Sequence, residues 1–189
     1  NPRQPDNCQV GSVLYEDKKC YASAPSGQNP IGVVFDTSKR LAVALTPAQG
    51  YKKWGAYGID ISGLENCSSG NFASCGTDGQ ANTDKIIAAI GSDTTTAAGW
   101  CKSLGYFLPS AGELQTLSNN KTKVNEGLST LPNPDTILID DSGYYWSSTE
   151  SDTSNALTLS LSCNSSNCIS YGGKAGSYVT DKTRCVLAY

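Results

Sequence analysis

Apolar residues along this chain repeat first at a short period, then at a helical one, then at a short one again. Val10-Gly11-Ser12-Val13-Leu14-Tyr15 reads as a short strand. Ile31-Gly32-Val33-Val34-Phe35 and Leu41-Ala42-Val43-Ala44-Leu45 are β-prone runs separated by the polar Asp36-Thr37-Ser38-Lys39-Arg40, the pattern of a β-hairpin. Both runs are nearly all apolar, so the hairpin is predicted to be central. The period then lengthens: Asn82 or Thr83 caps a short helix through Ile86, Ile87 and Ile90 that Gly91 ends. Ala97, Trp100, Cys101 and Leu104 share one face of a second helix, with Gly105 at its left-handed C-terminal cap. Leu108-Pro109 forces extended geometry at Leu108, and Ser110 with Glu113 forms a capping box that opens a helix carrying Leu114 and Leu117. A last helical turn is predicted from about Thr122 to Leu128. Beyond the turn-rich Leu131-Pro132-Asn133-Pro134-Asp135, strands are expected at Tyr144-Tyr145-Trp146, Ala156 to Leu161, Ile169 to Tyr171 and Arg184 to Tyr189. Strands, helices, then strands imply an α+β fold rather than alternating βαβ units.

The stretch from Thr46 to Ala81 has little periodicity and much Gly, Ser and Asn, yet it holds Tyr51, Trp54, Tyr57, Cys67 and Cys75. A long loop with aromatics and paired cysteines reads as stapled and functional rather than disordered. With 189 residues, 38 % of them hydrophobic, the chain is long enough for one well-buried core. The expected organisation is a linker-like segment over residues 1–7 and a single domain over 8–189; a linker-like start leaves room for an anchor, stalk or pilin-like helix ahead of it.

Composition narrows the function. Eight cysteines, no Met and only 16 % charged residues describe an exported, oxidised protein, extracellular or at the cell surface. Cys8 and Cys20 bracket the charged turn Glu16-Asp17-Lys18-Lys19 and suggest a local disulfide. The absence of His excludes His-based triads and His-containing zinc sites. A formal charge of −3 argues against a nucleic-acid partner, and no apolar run reaches the roughly 20 residues that span a bilayer.

The order of a helix cysteine (Cys101), a Leu-Pro corner (Leu108-Pro109), a strand tryptophan (Trp146) and a final-strand cysteine (Cys185) resembles C-type lectin-like domains. More closely, the chain resembles a bacterial domain family represented by the C-terminal domain of the Legionella collagen-like adhesin. The resemblance runs from about Val10 to Tyr189, through Pro30-Ile31-Gly32-Val33-Val34-Phe35, Leu108-Pro109-Ser110-Ala111-Gly112-Glu113-Leu114, Tyr145-Trp146-Ser147-Ser148-Thr149-Glu150 and Arg184-Cys185-Val186. It implies a C-type lectin-like fold, an antiparallel sheet with helices packed on it, and the disulfides Cys8 with Cys20, Cys67 with Cys75, Cys101 with Cys185 and Cys163 with Cys168. It also implies a binding module and no enzyme: formylglycine-generating enzymes of the broader fold need a reactive cysteine, and none remains if all eight are bridged.

Calcium-dependent lectins of this fold use Glu-Pro-Asn or Gln-Pro-Asp with Trp-Asn-Asp, whereas this chain has Leu131-Pro132-Asn133 and no Trp-Asn-Asp. No cofactor is therefore expected, although Asp140, Asp141, Glu150 and Asp152 are oxygen donors suited to calcium. The collagen-like adhesin's association with sulfated glycosaminoglycans directs attention to Lys18, Lys19, Lys39, Arg40, Lys52, Lys53, Lys121 and Lys123, scattered in short pairs. Trp146 is expected in the core. Trp54, Tyr57, Lys52 and Lys53 are the candidate ligand-binding residues, with Trp54 either meeting a ligand or pinning its loop. The binding surface is expected in the loops Thr46 to Ala81 and Pro132 to Ser142. The chain reads as a recognition or adhesion module for a glycan or a host or cell-surface protein; the alternative is the head of a pilin or fibre subunit that self-assembles into a homo-oligomer or fibre.

Overall fold

The two apolar runs that predict a hairpin form strands β2 (Pro30–Asp36) and β3 (Leu41–Ala44), in a computed structural model that describes residues 6–133, 136, 138–162, 166–176 and 180–189. They are the inner strands of an antiparallel sheet ordered β1-β2-β3-β7, with β1 at Val13–Tyr15 and β7 at Val186–Ala188. Val33 aligns with Val43, and Ala42 with Leu187. The hairpin turns on Asp36, whose carboxylate accepts from the backbone N–H groups of Ser38 and Lys39 at 2.9 and 3.0 Å.

Both faces of this sheet are covered, which is why its inner strands carry no alternating polar side. Val33, Phe35, Val43 and Val186 face a core shared with Leu114, Leu117, Val124, Leu157 and Leu159. Val34, Ala42 and Leu187 face a smaller one with Leu14 and Cys20. A second antiparallel sheet, ordered β4-β5-β6, is built from Tyr145–Glu150, Asn155–Leu159 and Ile169–Gly173. A third cluster, Trp54, Ile86, Ala98, Cys101, Leu108, Trp146 and Cys185, sits between this sheet and the first two helices.

Helix α1 runs Gly79–Ile90, α2 Ala97–Ser103 and α3 Ala111–Ser129. The predicted start of α1 is corrected: Asp78 is its N-cap, accepting from Ala81 N–H at 3.0 Å, while Asn82 and Thr83 are buried inside the helix. Thr83 Oγ1 donates to Gly79 C=O at 2.7 Å and accepts from Leu108 N–H at 3.0 Å, so its hydroxyl ties helix to corner instead of capping. Helix α2 ends as predicted, with Gly105 at φ 74° and Tyr106 N–H donating to Cys101 C=O at 3.0 Å. Leu104, expected on the apolar face, is its C-cap and is exposed.

The capping box is present, and its glutamate does more than the pattern implies. Glu113 accepts from Ser110 N–H at 2.8 Å and, across the fold, from Gly79 N–H at 3.3 Å, so one carboxylate receives the first turns of both α1 and α3. Burial raises its pKa, against the opposing pull of these donors and of Lys39. The separate helical turn expected from Thr122 is instead the continuation of α3. Its apolar stripe is interrupted where Ser118 donates to Leu161 C=O at 3.3 Å, Asn120 to Phe35 C=O at 2.9 Å and Lys121 to Leu161 C=O at 2.6 Å. Gly127 lets α3 approach the sheet, since a Cβ there would lie 2.2 Å from Gly11 C=O.

Three predicted disulfides are present: Cys8 with Cys20, Cys67 with Cys75, and Cys101 with Cys185. The fourth falls on Cys163, which lies outside the described residues, as do residues 1–5 of the expected linker; Asp6 already pairs with Cys20, its N–H donating at 2.8 Å. Among the described residues no helix is long and apolar enough to cross a membrane.

Because Cys101 and Cys185 are 84 residues apart and Cys67 and Cys75 only 8, the loop-closure account ranks them. Replacing Cys101 and Cys185 together by Ala is expected to cost about 4–5 kcal/mol in urea unfolding, and replacing Cys67 and Cys75 about 2–3 kcal/mol.

Candidate functional site

The long loop ending at Asp78 was the expected home of a binding surface, and four of its side chains were candidates. Trp54 takes the second of the two roles open to it. It is 1 % exposed, and its indole N–H donates to Ser147 C=O at 2.8 Å. Lys52 lies over the Trp100 ring at 4.5 Å, and its C=O accepts from the Trp146 indole N–H at 2.7 Å. Lys53 is exposed but its backbone is tied to Thr95 and Ala97 at the start of α2, while Tyr57 is 62 % exposed. The indole that would have centred a ligand platform is thus in the core, as is Trp146, 1 % exposed.

What holds this loop is a buried ion pair. Glu150, at the end of β4, and Lys174, just after β6, are wholly buried and hydrogen-bonded to each other. Glu150 also accepts from Ile61 N–H, its nearer oxygen at 3.2 Å, and Lys174 donates to Ile59 C=O at 3.0 Å with its ammonium 4.8 Å from the Trp54 ring centre. Each charge is therefore satisfied by its partner and by loop backbone, which a buried pair requires. Gly172 makes room for the neighbouring tryptophan, because a Cβ there would lie 2.5 Å from the Trp146 ring.

The acidic residues with calcium-like chemistry are already engaged. Asp140 accepts from Lys182 at 2.6 Å, Asp141 pairs with Lys121, and Glu150 with Lys174. Asp152 closes a turn, accepting from Ser154 and Asn155 N–H groups at 2.7 and 2.8 Å, and the Ser154 bond leads in holding its pKa down. Burial pushes Tyr145 up to about 12 and Arg184 down to about 10. Arg184 ties the last stretch of chain to β3, donating to Ala44 and Leu45 C=O at 2.9 and 2.8 Å.

The fold gathers one basic pair with half of a second and parts the second's other half from them. Lys18, Lys19 and Arg40 line one cleft of about 590 Å³ beside Tyr189, but Lys18 donates to Ala188 C=O and Arg40 to Tyr189 C=O. Lys39 turns the other way to Glu113, and Lys121 to Asp141.

A more apolar cleft of about 550 Å³ opens between β1, the chain after Cys20 and the end of α3. Tyr15, Tyr21, Pro30, Leu131, Pro132 and Asn133 line it. Tyr15 and Tyr21 meet edge to face at 5.7 Å, and Tyr21 O–H donates to Asp17 at 2.6 Å, a bond that leads in raising its pKa. Sequence reasoning placed Pro132 and Asn133 in a binding surface but missed both tyrosines. The available signal was the Cys8 to Cys20 staple, which folds the intervening turn back and sets Tyr21 beside Tyr15.

Comparison adds one finding to this geometry. No family model matches the chain, and no curated protein matches it. Among solved structures, it is similar to a fimbrial protein from Bacteroides ovatus ATCC 8483, with a TM-score of 0.58 and 19 % identity over 95 % of this chain. The likeness is one of fold, and this chain spans about half, 48 %, of that protein's chain.

Lys174→Met is expected to cost about 3–5 kcal/mol, because it strands a buried carboxylate, whereas Glu150→Gln with Lys174→Met in one chain costs markedly less. Urea unfolding of the two variants checks both halves of this expectation.

Proposed function

We propose that this chain is a domain of an exported bacterial surface-fibre subunit, a building and binding module of C-type lectin-like fold rather than an enzyme. The observation that carries this reading is the shared fold with half of a fimbrial protein over nearly the whole of this chain. The fold proposal is supported by the bond from the α2 cysteine, Cys101, to Cys185 beside the last strand, and by the Leu108-Pro109 corner and the Trp146 strand. The disulfides favour an oxidising location outside the cytoplasm.

A second reading, recognition of a glycan or a host or cell-surface protein, is favoured by the cleft of Tyr15 and Tyr21. Aromatic rings with a few polar neighbours in a concave surface suit the faces and hydroxyls of a sugar.

Two measurements separate these readings. In a fibre subunit, light scattering and electron microscopy of the purified, oxidised chain show particles larger than a dimer as concentration rises; a persistent monomer overturns the fibre reading. For the cleft, a glycan array run with calcium and with chelator is expected to give binding that chelator leaves intact and that Tyr21→Ala weakens about tenfold. Equal binding by wild type and Tyr21→Ala overturns the cleft.

A further inference from the structure

Among the described residues, three of the four outer sheet edges are covered by other backbone. On β1, Tyr15 N–H donates to Lys19 C=O at 3.0 Å, and Leu14 bridges Cys20. On β7, Phe107 and Val186 exchange N–H to C=O bonds at 2.9 Å in both directions. On β4, Trp146 N–H donates to Lys182 C=O and Ser148 N–H to Pro109 C=O, at 2.9 and 2.8 Å. The outer edge of β6 differs. Ser160 N–H donates to Cys168 C=O and Lys174 N–H to Ser154 C=O, which fixes the alternation between β5 and β6. The N–H and C=O of Ile169 and Tyr171 therefore point away from β5. Among the described residues none of these groups has a hydrogen-bond partner.

Nothing in the strand blunts this edge. Ile169-Ser170-Tyr171-Gly172-Gly173 contains no charge and no proline, the usual devices that keep sheet edges apart. Tyr171, midway along it, is 47 % exposed.

We infer that the open edge of β6 is an interaction surface that takes β6 of a second copy of this chain in antiparallel register. The alternation supplies the occupant. Centred on Tyr171, a two-fold axis sets each Tyr171 opposite its mate and each Ile169 opposite Gly173 of the second copy. Every outward N–H then meets an outward C=O, that of Gly173 accepting also from Gly176 N–H at 3.4 Å. Two uncharged edges meet without like-charge repulsion, and the paired tyrosines supply a cross-strand aromatic contact. The contact continues β4-β5-β6 into a sheet shared by two chains. Being two-fold, it closes on itself, so a fibre needs a second, different contact as well. The inference deepens the fibre reading by naming one of its contacts.

Hydrogen exchange of the oxidised chain, followed with light scattering over a concentration series, tests it. Association is expected to slow exchange at the Ile169 and Tyr171 amides by about tenfold or more. Tyr171→Lys sets like charges opposite each other and is expected to abolish association, while Tyr171→Phe, which also loses the bond that Ser69 N–H donates to the Tyr171 hydroxyl at 3.0 Å but adds no charge, leaves it intact. Association with these amides unprotected overturns the β6 contact and leaves the fibre reading standing. Protected amides in a particle that stops at a dimer support the contact and overturn the fibre reading. A monomer at every concentration overturns both.

Discussion

The buried pair of Glu150 and Lys174 is the point on which the arrangement of this molecule turns. A glutamate and a lysine without solvent access are tolerable only when each finds an opposite charge and enough hydrogen bonds, and here the remaining partners are backbone groups of Ile59 and Ile61. The long loop cannot leave the sheet without uncovering both charges. Its other attachments follow from that docking: the Trp54 indole reaches Ser147, Cys67 N–H reaches Glu150 C=O, and Gly55 N–H reaches Lys174 C=O. A segment with little secondary structure of its own is thereby a fixed wall of the second sheet.

A second carboxylate plays a comparable part on the other side of the helices. Glu113 receives N–H groups from the first turns of α1 and α3, and the Thr83 hydroxyl joins α1 to Leu108. Cys101 with Cys185 then links α2 to the chain entering β7. Helices, first sheet and second sheet are connected by side chains that satisfy buried backbone, so the sheet edge at β6, unsatisfied among the described residues, stands out.

Much of the frame was legible in sequence because it rests on local signals. The hairpin, the Ser110 and Glu113 box, the Gly105 cap and the placing of Trp146 in the core all depend on neighbours a few residues apart or on a short strand pattern. The misreadings arose where distant contacts override local preference. Thr83 resembled a cap but is held by Leu108, 25 residues on. The helical turn read from about Thr122 belongs to α3, whose polar Asn120 and Lys121 are held by Phe35 and Leu161. Trp54 had two open roles, and its partner Ser147, 93 residues away, selects the buried one. The Tyr15 and Tyr21 cleft joins the chain's first strand to the end of α3, and an open edge is defined by pairing that no local pattern encodes.

Charge then distinguishes the ways this surface can meet a partner. Lys39, Lys102, Lys121, Lys174 and Lys182 are each committed to a carboxylate, and the chain carries a net −3. Among the described residues a polyanion would find the small group of Lys18, Lys19 and Arg40 in one cleft, and Lys52, Lys53 and Lys123 outside any salt bridge, all inside an overall repulsive field, and salt would weaken such contacts further by screening them. Two copies of the chain also repel at long range, but salt screens that repulsion while leaving a short-range ladder of backbone hydrogen bonds across uncharged β6 edges almost untouched. The direction of the salt effect therefore follows from which surface is used. It is attraction through β6, not through the basic pairs, that the charge distribution of this fold permits to strengthen as ionic strength rises.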